Sequence, residues 1–162
     1  MDYSENYKAK NQNEIQSAYF GGRTFTLFTA CTYYKEDGRI KKLSVTVTTS
    51  ASDKSRSTSM AGINKVVQYA MSEIGVPTTK VFIASDGCSA QFRSKFVFKL
   101  LMDLLPGIAL EWHYNEAHHG KGPMDGIGRT IKNVVYRKVM AGNTVIDRRT
   151  QPWDQKFVSS CQ

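Results

Sequence analysis

Three aspartates stand where a carboxylate can do more than face water. Asp86 closes the apolar run Lys80-Val81-Phe82-Ile83-Ala84-Ser85 and is followed at once by Gly87, where a strand ends and the chain turns. Asp125 falls in the first turn of a helix that opens near Pro123. Asp2 lies at the amino end, with Glu5 and Asn6 behind it. Each has a plain structural account: a turn or cap for Asp86, a partner to the helix dipole for Asp125, a solvated tail for the others. Together they describe a different chemistry. Carboxylates from separate elements that meet at one sheet edge repel each other, and are tolerated where divalent cations sit between them. Hard oxygen ligands hold Mg²⁺ or Mn²⁺ and leave positions for phosphate oxygens and water. Two such ions ~4 Å apart activate a water or 3′-hydroxyl on one side and stabilise the leaving oxygen on the other. Glycines 120, 122, 126 and 128 crowd around Asp125, more than a helix start needs. They imply backbone that approaches a neighbour closely.

Other polar residues offer weaker chemistry. His113, His118 and His119 with Cys88 suggest zinc, but the His-x-x-x-x-His-His spacing matches no common zinc pattern. His119 and Lys121 suit a phosphate or the positioning of a nucleophile; a solvated loop accounts for them equally well. Gln91, Arg93 and Lys95 would share the edge of Asp86, where they could meet a DNA backbone or form an ordinary solvated face. Trp112 and Tyr114 alternate with His113, which places one side of that stretch in the core ahead of any base stacking.

The chain that must position these groups has 162 residues, one domain's length, with 41% hydrophobic and 22% charged residues. Such a chain buries roughly 70% of its unfolded surface and needs no staples. The net charge of +8 fits a polyanionic partner, although plain basic domains carry as much. Cys31, Cys88 and Cys161 form no C-x-x-C pair, which argues against a zinc ribbon, a redox dithiol or a disulfide framework. The polar start Met1-Asp2-Tyr3-Ser4-Glu5 is no secretory signal, and the apolar run from Phe96 to Leu105 is broken by Lys99 and Asp103. The expectation is a protein that is neither secreted nor membrane-spanning, in the nucleus or cytoplasm.

Residues 1–23 are polar and show no element. A strand is expected from Thr24 to Tyr34, a hairpin turn at Lys35-Glu36-Asp37-Gly38, and a second, cleanly alternating strand from Leu43 to Thr48. Thr49 to Ser59 reads as a Ser/Thr-rich loop. Met60, Ile63, Val67, Ala70 and Ile74 mark one helix face, ended by Gly75 and Pro77. Lys80–Ser85 reads as a strand buried on both faces. Phe92, Phe96, Leu100, Leu101 and Leu104 mark a second helix, and Ile108–Tyr114 another strand. Ile127, Ile131, Val134, Val135 and Val139 make the apolar face of a third helix, ended by Gly142. The last twenty residues show no strong pattern. A hairpin followed by alternating helices and strands implies α/β with a mixed sheet, whose strand ends are where ligands bind.

Three motifs, Ser85-Asp86-Gly87-x-x-x-Gln91-Phe92, Trp112-His113-Tyr114 and His119-Gly120-Lys121-Gly122-x-x-Asp125-Gly126-x-Gly128, resemble a set of transposon-derived animal proteins. That set is similar to DDE/D transposases and integrases. The likeness covers residues 2–142, and the GKG-x-x-DG-x-G piece is its most specific part. His118 stands where the set carries Ser, and Arg129 where it carries Gly. The resemblance implies an RNase H-like fold over residues 1–142, with 143–162 a tail of unclear structure. It implies that Asp2, Asp86 and Asp125 are catalytic and bind two Mg²⁺ or Mn²⁺ ions, with Glu5 or Glu111 the next candidates should Asp2 not serve. DNA would be the partner, met by Gln91, Arg93, Lys95, His119, Lys121 and Arg129, and a homo-oligomer is allowed. Asp2 matches the stretch just after the family's first strand, so that strand is expected to be truncated here. The alternative is a transposon-derived domain that binds DNA or protein without catalysis. A small-molecule binder would need a Gly-rich loop after the first strand, and none is visible.

Overall fold

Asp37 and Gly38 both adopt positive φ, 51° and 76°, the conformation a tight Asp-Gly hairpin turn requires. Around that turn, β3 (Thr24–Glu36) and β4 (Arg39–Thr49) run antiparallel in unbroken register. The computed structural model describes residues 1–4, 6–8, 24–49, 54–115, 123–141 and 156–159. Two short strands that residue patterning missed, β1 (Asp2–Tyr3) and β2 (Tyr7–Lys8), pair antiparallel with β3. β7 (Lys156–Ser159) pairs antiparallel with β4, within the stretch expected to lack pattern. A separate parallel pair joins β5 (Lys80–Asp86) to β6 (Ala109–Asn115). Mixed helices and strands, with sheets flanked by helices, make this an α/β domain. A bond links the amino end of the larger sheet to the parallel pair: the Met1 amine donates to the Ala84 carbonyl at 2.7 Å.

The helices are α1 (Arg56–Glu73), α2 (Lys95–Leu104) and α3 (Pro123–Met140). α1 begins inside the expected Ser/Thr loop because Ser55 caps it, its hydroxyl accepting from the Thr58 amide. Ile63, Val66, Val67 and Ala70 are buried against the hairpin. Gly62 lets the helix close on Phe28, since a Cβ there would stand 3.0 Å from the ring. Directly paired residues share a sheet face. Phe28, Ala30, Leu43, Val45 and Val47 therefore lie under α1, while Thr29, Ser44 and Thr46 lie on the opposite face. Leu43 to Val47 are buried at every position. The alternation expected there separates two covered faces, rather than core from solvent.

Three expectations need correction. β5 is not buried on both faces: Ile83 and Ser85 are buried, but Phe82 is 64% exposed, with the Lys80 ammonium 4.4 Å from its ring centre. Hydropathy alone does not distinguish a strand covered twice from one covered once. Second, α2 does not include Phe92. That side chain is fully buried in the preceding turn, where the Cys88 carbonyl accepts from the amides of Gln91, Phe92 and Arg93. Extended backbone at the Ser94 cap then resets the helical phase, so Val97 and Leu101 point inward and Phe96 outward. Third, the apolar face of α3 is only partly covered: Val139 is buried, whereas Val134 is 43% exposed. Gly142, expected to end that helix, lies outside the described residues.

Candidate active site

Asp2 is held by backbone. Its carbonyl accepts from the Thr29 hydroxyl at 3.1 Å, and its carboxylate from the Tyr3 amide at 2.7 Å. Beyond it the Ser4 amide donates to Leu27 at 2.9 Å, and Tyr3 wedges between Phe28 and Phe92 with ring centres 5.1 and 6.1 Å away. Alternation along β1 puts Tyr3 on the α1 side, and Asp2 and Ser4 on the other.

That other side meets α3. Ser4 is buried, and a Cβ on Gly128 would overlap its side chain, so only glycine lets the helix come this close. Asp125 lies one helical turn before Gly128, which carries its carboxylate toward Asp2. The glycine excess noted around Asp125 is thus explained at Gly128. Gly126 faces open space, and 120 and 122 lie outside the described residues.

Asp86 ends β5, opposite Asn115 of β6. Gly87 then passes close to β6; a Cβ there would lie 3.3 Å from the Asn115 carbonyl oxygen. Because Met1 is bonded to Ala84, β1 runs beside the end of β5, and Asp86 comes near Asp2. Burial dominates the electrostatics of Asp2, and the two other aspartates contribute least. Burial pushes the Asp2 carboxyl above its ordinary range, the Tyr3 amide and the chain-terminal ammonium oppose the rise, and the charges of Asp86 and Asp125 add to it. Burial also lowers the Met1 ammonium, against the pull of Asp2 and Cys31. Asp86 and Asp125 thus act on Asp2 from two further elements, a strand end and a helix start. The three do not form a closed cage: among the described residues, no three Asp, Glu, His or Cys side chains are gathered tightly enough to grip an ion.

The other candidates separate. Glu111 accepts from Lys80 at 2.9 Å and from His113 at 2.8 Å, and both partners lower its pKa. It lies toward the start of the parallel strands, away from Asp86. His113 is committed to that pair on the exposed surface. Glu5, His118, His119 and Lys121 lie outside the described residues. Arg93, Lys95 and Tyr114 line a shallow cleft of about 540 Å³ along α2, with the Arg93 guanidinium 5.9 Å from the Tyr114 ring centre. Gln91 is half-buried in the turn before α2, and Arg129 is exposed on α3 one turn beyond Asp125. Trp112 packs against the core and donates to Ser85 at 2.9 Å, and Tyr114 stacks on it while keeping an exposed edge.

Two participants were not read from the sequence. Ser4 is the contact that seats α3, and its only sequence signal was a small residue two positions after Asp2. Lys54 donates to the Ser4 carbonyl at 3.3 Å and lies 5.5 Å from the Tyr3 ring centre, a cation beside β1 from a stretch read as loop.

A family model for a domain of unknown function, DUF8701, matches residues 1–155, nearly the whole chain. The chain belongs to the DUF8701 family. It matches none of the curated proteins and none of the solved structures. No helix among the described residues is long and apolar enough to cross a membrane.

Proposed function

We infer that this domain is a metal-dependent phosphodiester-cleaving core of the DDE/D type, on an RNase H-like fold. The observation that carries it is the placing of Asp86 at the end of β5 and Asp125 in the first turn of α3, on the two elements whose charges act on Asp2; burial is the main cause that raises the Asp2 carboxyl, and these two charges add to it. A divalent cation would relieve that repulsion, and open coordination would leave room for a phosphate oxygen and water. Asp2, Asp86 and Asp125 would hold Mg²⁺ or Mn²⁺, and the metal would supply activation of water and stabilisation of the leaving oxygen. The strand order supports this reading too, with β1 lying between the hairpin and the parallel pair. Arg93, Lys95 and Arg129 would carry the DNA backbone past the carboxylates, and Tyr114 gives that path an aromatic wall.

The second reading, a DNA- or protein-binding domain without catalysis, draws on the loose spacing of the acidic groups. Nicking of supercoiled plasmid in Mn²⁺ separates the two. The catalytic reading expects nicking that Asp86→Asn and Asp125→Asn each reduce about 10²-fold or more, while DNA affinity is kept and falls log-linearly with salt. Salt-sensitive binding with no nicking supports the second reading. Nicking that survives both substitutions excludes these aspartates as its ligands.

A further inference from the structure

Beyond the carboxyl ends of the parallel strands, aromatic rings and cations alternate in a row. Tyr114, near the end of β6, keeps an exposed edge and stacks on Trp112 with ring centres 5.2 Å apart. Trp112 is fixed in turn by its bond to Ser85, so the Tyr114 ring is well supported. The Arg93 guanidinium stands 5.9 Å from the Tyr114 ring centre, and both border the cleft of about 540 Å³ along α2, together with Lys95. The Lys95 ammonium lies 5.3 Å from the ring centre of Phe96, and the Arg56 guanidinium, from the start of α1, lies 5.6 Å from the same ring. Phe96 is 52% exposed. Lys54, two residues before Arg56, donates to the Ser4 carbonyl, so the far end of the row lies beside β1.

The charges of this row ask for an anion. Among the described residues, no carboxylate pairs with Arg56, Arg93 or Lys95, whereas Lys99 of the same cleft is paired with Asp103 at 3.1 Å. α2 opens within the row with no acidic residue in its first turn, so its amide dipoles add to the positive field. The rings decide which anion. A duplex hides the faces of its bases and needs cations alone, whereas an unpaired base lays its face on an exposed ring. Cations spaced between rings match phosphates spaced between bases. An acidic peptide would answer to the cations and leave the flat rings unused.

We propose that this row binds single-stranded DNA, with one base on Tyr114, another on Phe96, and the phosphates on Arg93, Lys95 and Arg56. The choice of DNA rests on the reading of the domain as a DNA-cleaving core; the preference for an unpaired strand rests on the rings. The row shares the strand ends with Asp86 and finishes beside β1, which carries Asp2. A strand that follows it passes the carboxylates, so the substrate is an unpaired segment or a melted duplex end.

The probe is a fluorescein-labelled oligothymidylate of about ten nucleotides, within the usual size of a single-strand site. It is titrated with the 162-residue chain in EDTA, where no cleavage intervenes, and read by fluorescence polarisation. The free strand should bind at least about tenfold more tightly than the same strand annealed to its complement. Tyr114→Ala and Phe96→Ala should each weaken single-strand binding about tenfold or more and leave duplex binding unchanged, while Tyr114→Phe and Phe96→Tyr keep the parent affinity. Arg56→Gln and Arg93→Gln should each flatten the log–log salt dependence by about 0.7. Failure here is separable from failure of the catalytic reading, because nicking and its loss in Asp86→Asn and Asp125→Asn are measured with metal on plasmid. Equal or tighter binding of the duplex overturns the proposal, as do alanine variants that bind the strand like the parent. Tighter binding of an oligouridylate of the same length overturns it in favour of RNA. No saturation of either strand at about 100 μM chain, the weak end of non-specific binding, overturns it in favour of a protein partner.

Discussion

The hairpin and the parallel pair are built to different standards. In β3 and β4 every residue from Thr26 to Ala30 and from Leu43 to Val47 is buried, with α1 on one side and the polar Thr29, Ser44 and Thr46 on the other. In β5 and β6 the buried side chains are Ile83 and Ser85, while Phe82 and Tyr114 face water. Yet the candidate chemistry lies at the end of the looser pair and at the two-residue β1 that touches both. The packed half supplies stability, and the open half supplies exposed strand ends.

The contrast breaks most visibly in the core. Phe28→Ala should cost about 3–5 kcal/mol, because Phe28 is 1% exposed and supports Tyr3, Phe92 and α1 at Gly62. Phe82→Ala on the open strand should stay within about 0.5 kcal/mol. Urea unfolding of both variants reads the difference; equal losses would mean that the parallel pair is as firmly packed as the hairpin.

A smaller effect sharpens the seam between the halves. Gly128→Ala should cost about 1–3 kcal/mol through overlap with Ser4. Gly126→Ala, two residues away and facing open space, should be neutral or stabilise by up to about 1 kcal/mol through helix propensity. Ser4→Gly in the Gly128→Ala background should recover most of the loss if the clash is with that side chain. A Gly128→Ala protein as stable as its parent would mean that α3 does not close on β1.

The smallest effect is electrostatic. Burial raises the folded pKa of Asp2 above its ordinary value of 3.8. A carboxyl raised on folding binds its proton more tightly in the native state, so stability falls as pH rises through the interval between the unfolded and folded values. Above that interval the cost is complete; below pH 3.8 it vanishes. Asp2→Asn should therefore stabilise the metal-free protein near pH 7 by about 1 kcal/mol or less, since water screens a half-exposed charge. Thermal melts at pH 7 and pH 3 check it; a gain at pH 3 equal to that at pH 7 would assign the effect to packing.

Much of the fold could be read from local chemistry. Asp37-Gly38 announced the hairpin, the spacing from Ile63 to Ala70 announced α1, and Asp86 and Asp125 fell where expected, at a strand end and a helix start. What escaped depends on contacts distant in sequence. β1 and β2 have too few residues to show a period, and exist as strands only through pairing with β3. β7 is likewise defined by pairing with β4. The exposure of Phe82 and Phe96 depends on which elements cover them, which hydropathy does not encode. Gly128 was legible as an oddity, but Ser4, its partner 124 positions away, was not.

The central claim is that Asp2, Asp86 and Asp125 form one cation site, and the most direct test is the thermal shift with Mn²⁺. Stabilisation should follow ligand linkage, about 2.7 kcal/mol at one hundred times the dissociation constant, and so a rise of several degrees in Tm. Asp2→Asn, Asp86→Asn and Asp125→Asn should each lose most of that rise, and Glu111→Gln should keep it. A shift of the same size in all four variants would contradict the account.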